Sequence, residues 1–226
     1  MGAEPKPHKP LVAFTAAVLI LITLVLFHHH KSQTSNAVDL EVSSHPTIGN
    51  PDAAIHIVVF EEPRCIDCMY YNNDIYPLIF KEYIETNQVK YTNIPVSFLR
   101  NSLNIGTALL CAYHENPREP NDEAYFAFLD YIYQDGRVVH NDNLTINDIV
   151  HLASQASPSI NSKKLKKCIE SKNYHQDILN NTAYATEVMK GNLGTPAIYV
   201  NGVLLENITY ANLKKLITKA IGASHE

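Results

Sequence analysis

The pattern of apolar and polar positions predicts a strand, a helix and a second strand in the first part of the chain. Residues 53–62 (AAIHIVVFEE) are β-rich and mostly apolar, which predicts a buried strand that ends at Pro63. From Cys65 to Tyr83, apolar side chains recur every three or four positions, as on one face of a helix. A further strand is predicted at about 89–97.

The C-terminal part predicts a hairpin and a closing helix. In GTPAIYVNGVLLEN (194–207), the Asn-Gly pair at 201–202 suits a two-residue type I′ turn between two strands. Pro196 stands at the start of the first strand, where its missing N–H is tolerated. The last segment predicts an amphipathic helix with Thr209 as its N-cap and Gly222 at its end.

The middle of the chain predicts helices. Periodic segments occur at 102–116, 121–135, 144–156 and 161–191. Thr145 and Asp148 have the spacing of a capping box at the start of the third segment.

The N-terminal part predicts a membrane segment and a tether. Residues 11–27 form an uncharged run of 17 residues, which favours an uncleaved transmembrane anchor over a signal peptide, with residues 1–10 in the cytoplasm. Residues 28–48 are polar and lack periodicity, so we interpret them as a linker, and 49–226 has the length of one domain. Either interpretation of the run carries this domain out of the cytoplasm, where disulfides persist.

The net charge narrows the classes of partner that the protein could bind. Of the net charge of −5, residues 1–31 carry +2 and the remainder carries −7. This mild acidity argues against nucleic-acid binding, which requires a basic face. We predict no cofactor.

Cys65 and Cys68 could be half of a zinc site, a structural disulfide or a redox centre. The predicted strand and helix place Cys65 in the first turn of the helix, where unpaired N–H groups and the helix dipole stabilise a thiolate. A structural disulfide does not need that position, so the pattern favours a reactive cysteine.

Together these segments resemble the thioredoxin fold, and specifically its DsbA-like branch. Pro77, nine residues after Cys68, matches the branch's helix pattern, and GTPAIYVNG (194–202) is similar to its GTPTFFVNG motif. The resemblance covers about 50–222. It implies an α/β protein, a thioredoxin fold with an inserted helical domain at about 101–190, preceded here by one transmembrane helix.

The resemblance also implies a function and the residues that perform it. Cys65 would form mixed disulfides with reduced exported client proteins, and Cys68 would resolve them. A cis bond before Pro196 would place the backbone of Thr195 against a client strand. A membrane or soluble redox partner would reset the pair, and the enzyme would be membrane-anchored on the periplasmic or cell-surface side.

Departures from the branch concern redox tuning. Ile66-Asp67 replaces the Pro-His of strongly oxidising members, and Asp67 opposes a neighbouring thiolate while Arg64 offers a compensating charge. Dithiol oxidation remains the favoured activity. Disulfide reduction or isomerisation is the alternative, as is a tethered client-binding or chaperone module with incidental thiols.

A second departure from the branch concerns the position of a buried acidic residue. Val59 occupies the position, six before the first cysteine, where many relatives have a buried acid. Glu61 and Glu62 lie nearby, and we expect both to be solvated at the exit of the strand rather than to act as proton shuttles.

Cys111 and Cys168 lie in predicted helices of the insert. Some DsbA-like members have cysteines at these places joined as a structural disulfide, which the resemblance implies here. The alternatives are two free buried thiols, or a four-cysteine zinc site formed with Cys65 and Cys68.

Overall fold

The computed structural model describes residues 18–23 and 37–224. The chain divides into two compact units, Met1–Ala37 and Val38–Glu226. In the first unit residues 18–23 are helical, and the rest of the predicted anchor at 11–27 lies outside the described residues, as do residues 1–10. Within the described ranges, no helix has the length and apolar character needed to cross a membrane.

The second unit is built on a mixed sheet of five strands in the order β1-β3-β2-β4-β5. The strands are β1 (Thr47–Gly49), β2 (Ile55–Glu61), β3 (Val89–Pro95), β4 (Ala197–Val200) and β5 (Val203–Leu204). β2 and β3 are parallel, and the other three pairings are antiparallel. β2 lies at the centre. All of its residues except His56 are buried, so the predicted buried strand is confirmed.

The predicted boundary between linker and domain is wrong, because the folded unit begins at Val38 rather than at residue 49. The N–H of Val38 donates to the carbonyl of Gly202 over 2.9 Å. Val38, Leu40 and Val42 pack against the cluster that contains Phe60. Apolar side chains at alternate positions of an extended segment share one face, and the polar residues between them concealed this pattern.

The helix that follows Cys65 alternates between α and π geometry. Its segments are Ile66–Tyr70 (α), Tyr71–Ile75 (π), Tyr76–Ile79 (α) and Phe80–Ile84 (π). In the first π turn, the N–H of Tyr76 donates to the carbonyl of Tyr71, five residues back. Pro77 comes next and has no N–H for the usual α-helical bond, so the π turn forms where the regular ladder is interrupted. We call residues 66–84 the CxxC helix.

The helical insert lies between β3 and β4. Its helices are Leu103–Tyr113, Asp122–Asp135, Arg137–His140, Ile146–Ala156, Ser162–Glu170 and His175–Val188. The capping box of Thr145 and Asp148 is confirmed. The single helix predicted at 161–191 is wrong, because the chain turns at Lys172, whose φ of 56° is left-handed.

A disulfide joins Cys111 to Cys168 across a sequence separation of 57 residues. It connects the first helix of the insert to Ser162–Glu170, and both cysteines contact the core of the insert. In this arrangement neither sulfur is free to bind zinc.

The hairpin and the closing helix follow the predicted chemistry. Asn201 (φ 46°) and Gly202 (φ 78°) both have positive φ, as a type I′ turn requires. A Cβ on Gly202 would lie 2.1 Å from the carbonyl oxygen of Val38, so only glycine fits. The last helix, Tyr210–Ser224, starts where the Thr209 hydroxyl accepts from a backbone N–H, and it continues past Gly222.

Candidate redox site

Cys65 and Cys68 lie just beyond β2, at the start of the CxxC helix. Cys65 has extended N-cap geometry (φ −75°, ψ 125°), and Ile66 is the first helical residue. Cys65 is half-buried, whereas Cys68 is fully buried, and both are free thiols. The predicted placement of the first cysteine at the helix start is therefore confirmed.

The surroundings of Cys65 favour its thiolate. A hydrogen bond from the Cys68 thiol lowers the pKa of Cys65 to about 6, against the effect of burial. The Thr195 hydroxyl and the N–H groups of Cys68 and Asp67 act in the same direction as that bond. In the thiol form, Cys65 donates to the Thr195 carbonyl over 3.2 Å, and the Thr195 hydroxyl has no partner among the described residues. That hydroxyl is thus free to donate once the thiolate forms.

Cys68 has the opposite preference. Burial raises the pKa of Cys68 well above its usual range, and the neighbouring Cys65 and Glu61 act in the same direction. At neutral pH the reduced pair therefore holds one proton, which stays on Cys68 while Cys65 carries the charge. This arrangement can perform thiol–disulfide exchange through Cys65.

Thr195 and Pro196 form the other side of the site. The peptide bond between them is cis, as the resemblance implied. The pairing of β4 with β2 begins at Ala197, so Thr195 lies beyond the end of the ladder. The structure thus brings Thr195 to the first cysteine from a segment 130 residues away in the chain.

The expectation that Glu61 is solvated is wrong, since its side chain is 1% exposed. Its two carboxyl oxygens accept from the side-chain amides of Asn72 and Asn93. Asn72 also donates to the carbonyl of Cys68 over 3.0 Å, and the Tyr125 hydroxyl donates to Asn93 over 2.6 Å. Burial raises the pKa of Glu61 to about 8, although both amides oppose that effect. A titratable buried acid therefore lies behind the cysteine pair.

Sequence reasoning missed this polar cluster although a signal was present. Side chains at alternate strand positions share a face, so Glu61 shares the face of Ile57 and Val59, which are both fully buried. Val59 lies in the core, six residues before Cys65. The buried acid of this chain, Glu61, lies two residues further along the same face of the strand.

Glu62 is also buried, which corrects the second expectation of solvation. One carboxyl oxygen accepts from the N–H of Arg64 over 3.0 Å, while Oε1 has no partner among the described residues. Burial raises the pKa of Glu62 to about 7. Its backbone carbonyl accepts from the N–H of Cys65 over 2.9 Å, so it also supports the turn before the helix.

The compensating charge expected of Arg64 stays a prediction, and its guanidinium is bonded to other parts of the chain. Its guanidinium donates to the carbonyls of Arg100 and Val138 and pairs with Asp142. These bonds link the turn before Cys65 to the helical insert. Because a buried guanidinium needs several acceptors, these three partners account for its burial.

Ile66 and Asp67 are both exposed in the first turn of the helix. Asp67 contributes its backbone N–H to the Cys65 thiolate, an effect that does not depend on its side chain. Metal binding has no support in the described part of the chain, where no three His, Cys, Asp or Glu side chains group to hold an ion.

Comparison with known proteins assigns the chain to a family. The family model described as Thioredoxin matches residues 41–219. The probable disulfide bond formation protein D of Bacillus anthracis is 24% identical over 212 residues, which cover 93% of this chain and 94% of that protein. A putative protein-disulfide oxidoreductase of Rickettsia bellii is 28% identical over 180 residues, 78% of this chain and 64% of that protein.

Two crystal structures are similar over most of the chain. Chlamydia trachomatis DsbA is 33% identical, with a TM-score of 0.74 over 82% of this chain and 96% of that chain. Oxidised BdbD from Bacillus subtilis is 22% identical, with a TM-score of 0.72 over 82% and 97%, and shows the fold alone. With the cysteine pair at the start of a helix and a helical insert between β3 and β4, this chain belongs to the thioredoxin family, in the DsbA-like branch of thiol-disulfide oxidoreductases.

Proposed function

We propose that this protein is a dithiol oxidase that introduces disulfides into exported proteins outside the cytoplasm. A client thiolate attacks the Cys65 sulfur of the Cys65–Cys68 disulfide, and Cys68 leaves and is protonated. A second client thiolate then attacks the client sulfur of the mixed disulfide, and Cys65 leaves as a thiolate. The client dithiol loses two electrons and two protons. The Cys65–Cys68 pair gains both electrons, while one proton goes to Cys68 and the other to solvent.

The observation that supports these roles is the contrast between the two cysteines. The pKa of Cys65 is lowered to about 6, while that of the buried Cys68 is raised. A thiol of low pKa is the better leaving group, so Cys65 is suited to release the oxidised client. A stable thiolate also stabilises the reduced enzyme, which makes the disulfide the stronger oxidant. This favours oxidation of clients over reduction.

Glu61 is the group we propose to accept the proton of Cys68 when the enzyme is itself re-oxidised. Asn72 donates both to Glu61 and to the backbone carbonyl of Cys68, and the Glu61 carboxylate acts on the pKa of the Cys68 thiol, so the acid lies near the second cysteine. A carboxyl whose pKa is raised to about 8 can both hold and release a proton near neutral pH.

Thr195 and Pro196 are the proposed client contacts. Thr195 lies beyond the ladder of β4 and beside Cys65, so an extended client segment could pair with its backbone there. Main-chain pairing gives affinity without demanding a particular client sequence. A redox partner, itself a protein disulfide, would then take the two electrons and reset Cys65–Cys68.

The location outside the cytoplasm, with residues 11–27 as the anchor, belongs to the same proposal. The uncharged run supports it. The disulfide between Cys111 and Cys168 supports it too, because stable disulfides persist in oxidising compartments.

The reduction potential of Cys65–Cys68, measured in glutathione buffers, tests the direction. We expect a value clearly above the roughly −270 mV of thioredoxin, together with oxidation of a reduced, unfolded substrate protein. Cys65→Ser should abolish this oxidation, and Cys68→Ser should trap the mixed disulfide. A potential at or below that of thioredoxin would instead indicate a reductase, and an unchanged cellular function in Cys65→Ser would indicate a binding module.

A further inference from the structure

A groove of about 370 Å³ runs beside the redox site along the CxxC helix. Thr195 and Pro196 line one side of it, and the Thr195 carbonyl accepts from Cys65 over 3.2 Å. Asp67, Tyr70 and Asp74 line the helix side. A client segment that reacts at the first cysteine has this groove next to it.

The groove is negatively charged. Asp67 and Asp74 both line it from the CxxC helix, although the helix between them includes a π turn. Both are exposed, and neither carboxylate has a hydrogen-bond or ion-pair partner among the described residues. No Lys, Arg or His is among the described residues that line the groove. Two unpaired acidic side chains thus line the groove next to Thr195 and Pro196.

The groove also offers contacts that a bound side chain or backbone could complete. Tyr70 lies between the two acids in the sequence and is 53% exposed, so its ring is accessible. Aromatic faces attract cations, arginine above all. On the opposite side, the buried Thr195 hydroxyl has no partner among the described residues until Cys65 becomes a thiolate. The helix dipole accounts for an acid at Asp67, in the first turn, but not for Asp74 in the middle of the helix.

We propose that this groove selects client segments that have a basic side chain, arginine in particular, next to the reactive cysteine. The guanidinium would pair with Asp67 or Asp74 and lie over Tyr70. This inference rests on the proposed thiol–disulfide exchange and adds a client preference to it. The acidic groove would also disfavour clients with acidic residues beside the cysteine.

The test uses three short peptides, each with one cysteine flanked by arginine, glutamine or glutamate. The rate constant for reduction of the Cys65–Cys68 disulfide is measured for each peptide with wild type, Asp67→Asn, Asp74→Asn and the control Asp52→Asn. Asp52 is an exposed acid before the other end of β2. For each variant, the rate constant with the arginine peptide is divided by the rate constant with the glutamate peptide, which cancels any change in the reactivity of the cysteine pair. Comparing this ratio between variants cancels the intrinsic reactivity of the peptides.

We expect the wild-type ratio to exceed one and to fall with added salt. Each groove variant should lower the ratio by about threefold, within the range of an exposed ion pair, while Asp52→Asn leaves it unchanged. A ratio that neither groove variant changes, or that Asp52→Asn lowers equally, overturns the inference. In that case normal exchange with the glutamine peptide still supports the proposed function. No exchange with any peptide overturns both.

Discussion

Replacing Cys68 with alanine should raise the pKa of Cys65, because it removes the largest stabilising contact of the thiolate. That contact is the hydrogen bond from the Cys68 thiol. Serine at the same position keeps a donor of similar size and is therefore the matched control. The backbone N–H groups of residues 67 and 68 remain in both variants, so the comparison isolates the side-chain donor.

The size of the effect follows from the geometry of the site. Hydrogen bonds to charged groups contribute roughly 1.5–3 kcal/mol, which corresponds to a change of about 1 to 2 in pKa. Cys65 is half-buried, so solvent screening places the expected rise near the lower figure. For a pKa that starts at about 6, the thiolate fraction at pH 7 should fall from roughly nine-tenths to roughly half in Cys68→Ala. Cys68→Ser should stay close to wild type.

Thiolate absorbance in the ultraviolet, followed during a pH titration, is the appropriate measurement. Alkylation rates are less suitable, because the nucleophilicity of a thiolate rises with its pKa and partly cancels the loss of thiolate. If Cys68→Ala titrates like the reduced wild type, the helix N–H groups and Thr195 alone hold the charge. If serine behaves like alanine, the effect comes from packing rather than from a donor.

Three further predictions concern other parts of the molecule. Asp67→His should raise the reduction potential of the cysteine pair by some tens of millivolts and lower the pKa of Cys65, because a cationic donor replaces an anion in the first turn. The potential is measured in glutathione buffers. An unchanged value would mean that the side chain at position 67 points away from the sulfur. Glu61→Gln should alter the pH dependence of stability. Burial raises the pKa of Glu61 from 4.5 to about 8, so the folded state binds more protons in that window and wild type loses up to about 1.4 kcal/mol of unfolding free energy per pH unit as the pH rises from 4.5 to 8. The variant should lack that slope in denaturant titrations, and identical slopes would contradict the assignment. Replacing Cys111 and Cys168 together with alanine should lower the free energy of unfolding by up to about 4 kcal/mol, from the entropy of a loop with a separation of 57 residues; an unchanged denaturation midpoint would show that the link adds no stability.

The parts of the site that depend on local rules could be predicted from the sequence. A β-rich apolar run stopped by Pro63 and followed by a helical repeat places Cys65 at a helix start. The Asn-Gly turn and the Thr209 cap also follow from the conformations their own residues prefer. The link between the cysteine pair and the Thr-Pro segment came from the resemblance, because no local rule joins segments 130 residues apart.

Side-chain directions at the site were decided by the tertiary structure. Glu61 and Arg64 are charged residues beside a predicted turn, and such residues are usually solvated. The fold buries Glu61 because the strand period directs it beneath the CxxC helix, where two amides satisfy it. It buries Arg64 because acceptors from the helical insert are within reach.

The difference between local pattern and tertiary packing also explains why the start of the domain at Val38 was not predicted. Val38, Leu40 and Val42 alternate with polar residues, a pattern too short to separate an extended strap from a tether. Only the assembled sheet offers Phe60 and its neighbours as a surface on which those side chains can be buried. The sequence by itself determined where the reactive cysteine sits in its helix, because capping and periodicity act over a few residues. The tertiary structure alone decided which distant groups surround that cysteine, because burial and hydrogen-bond satisfaction depend on the whole packed chain.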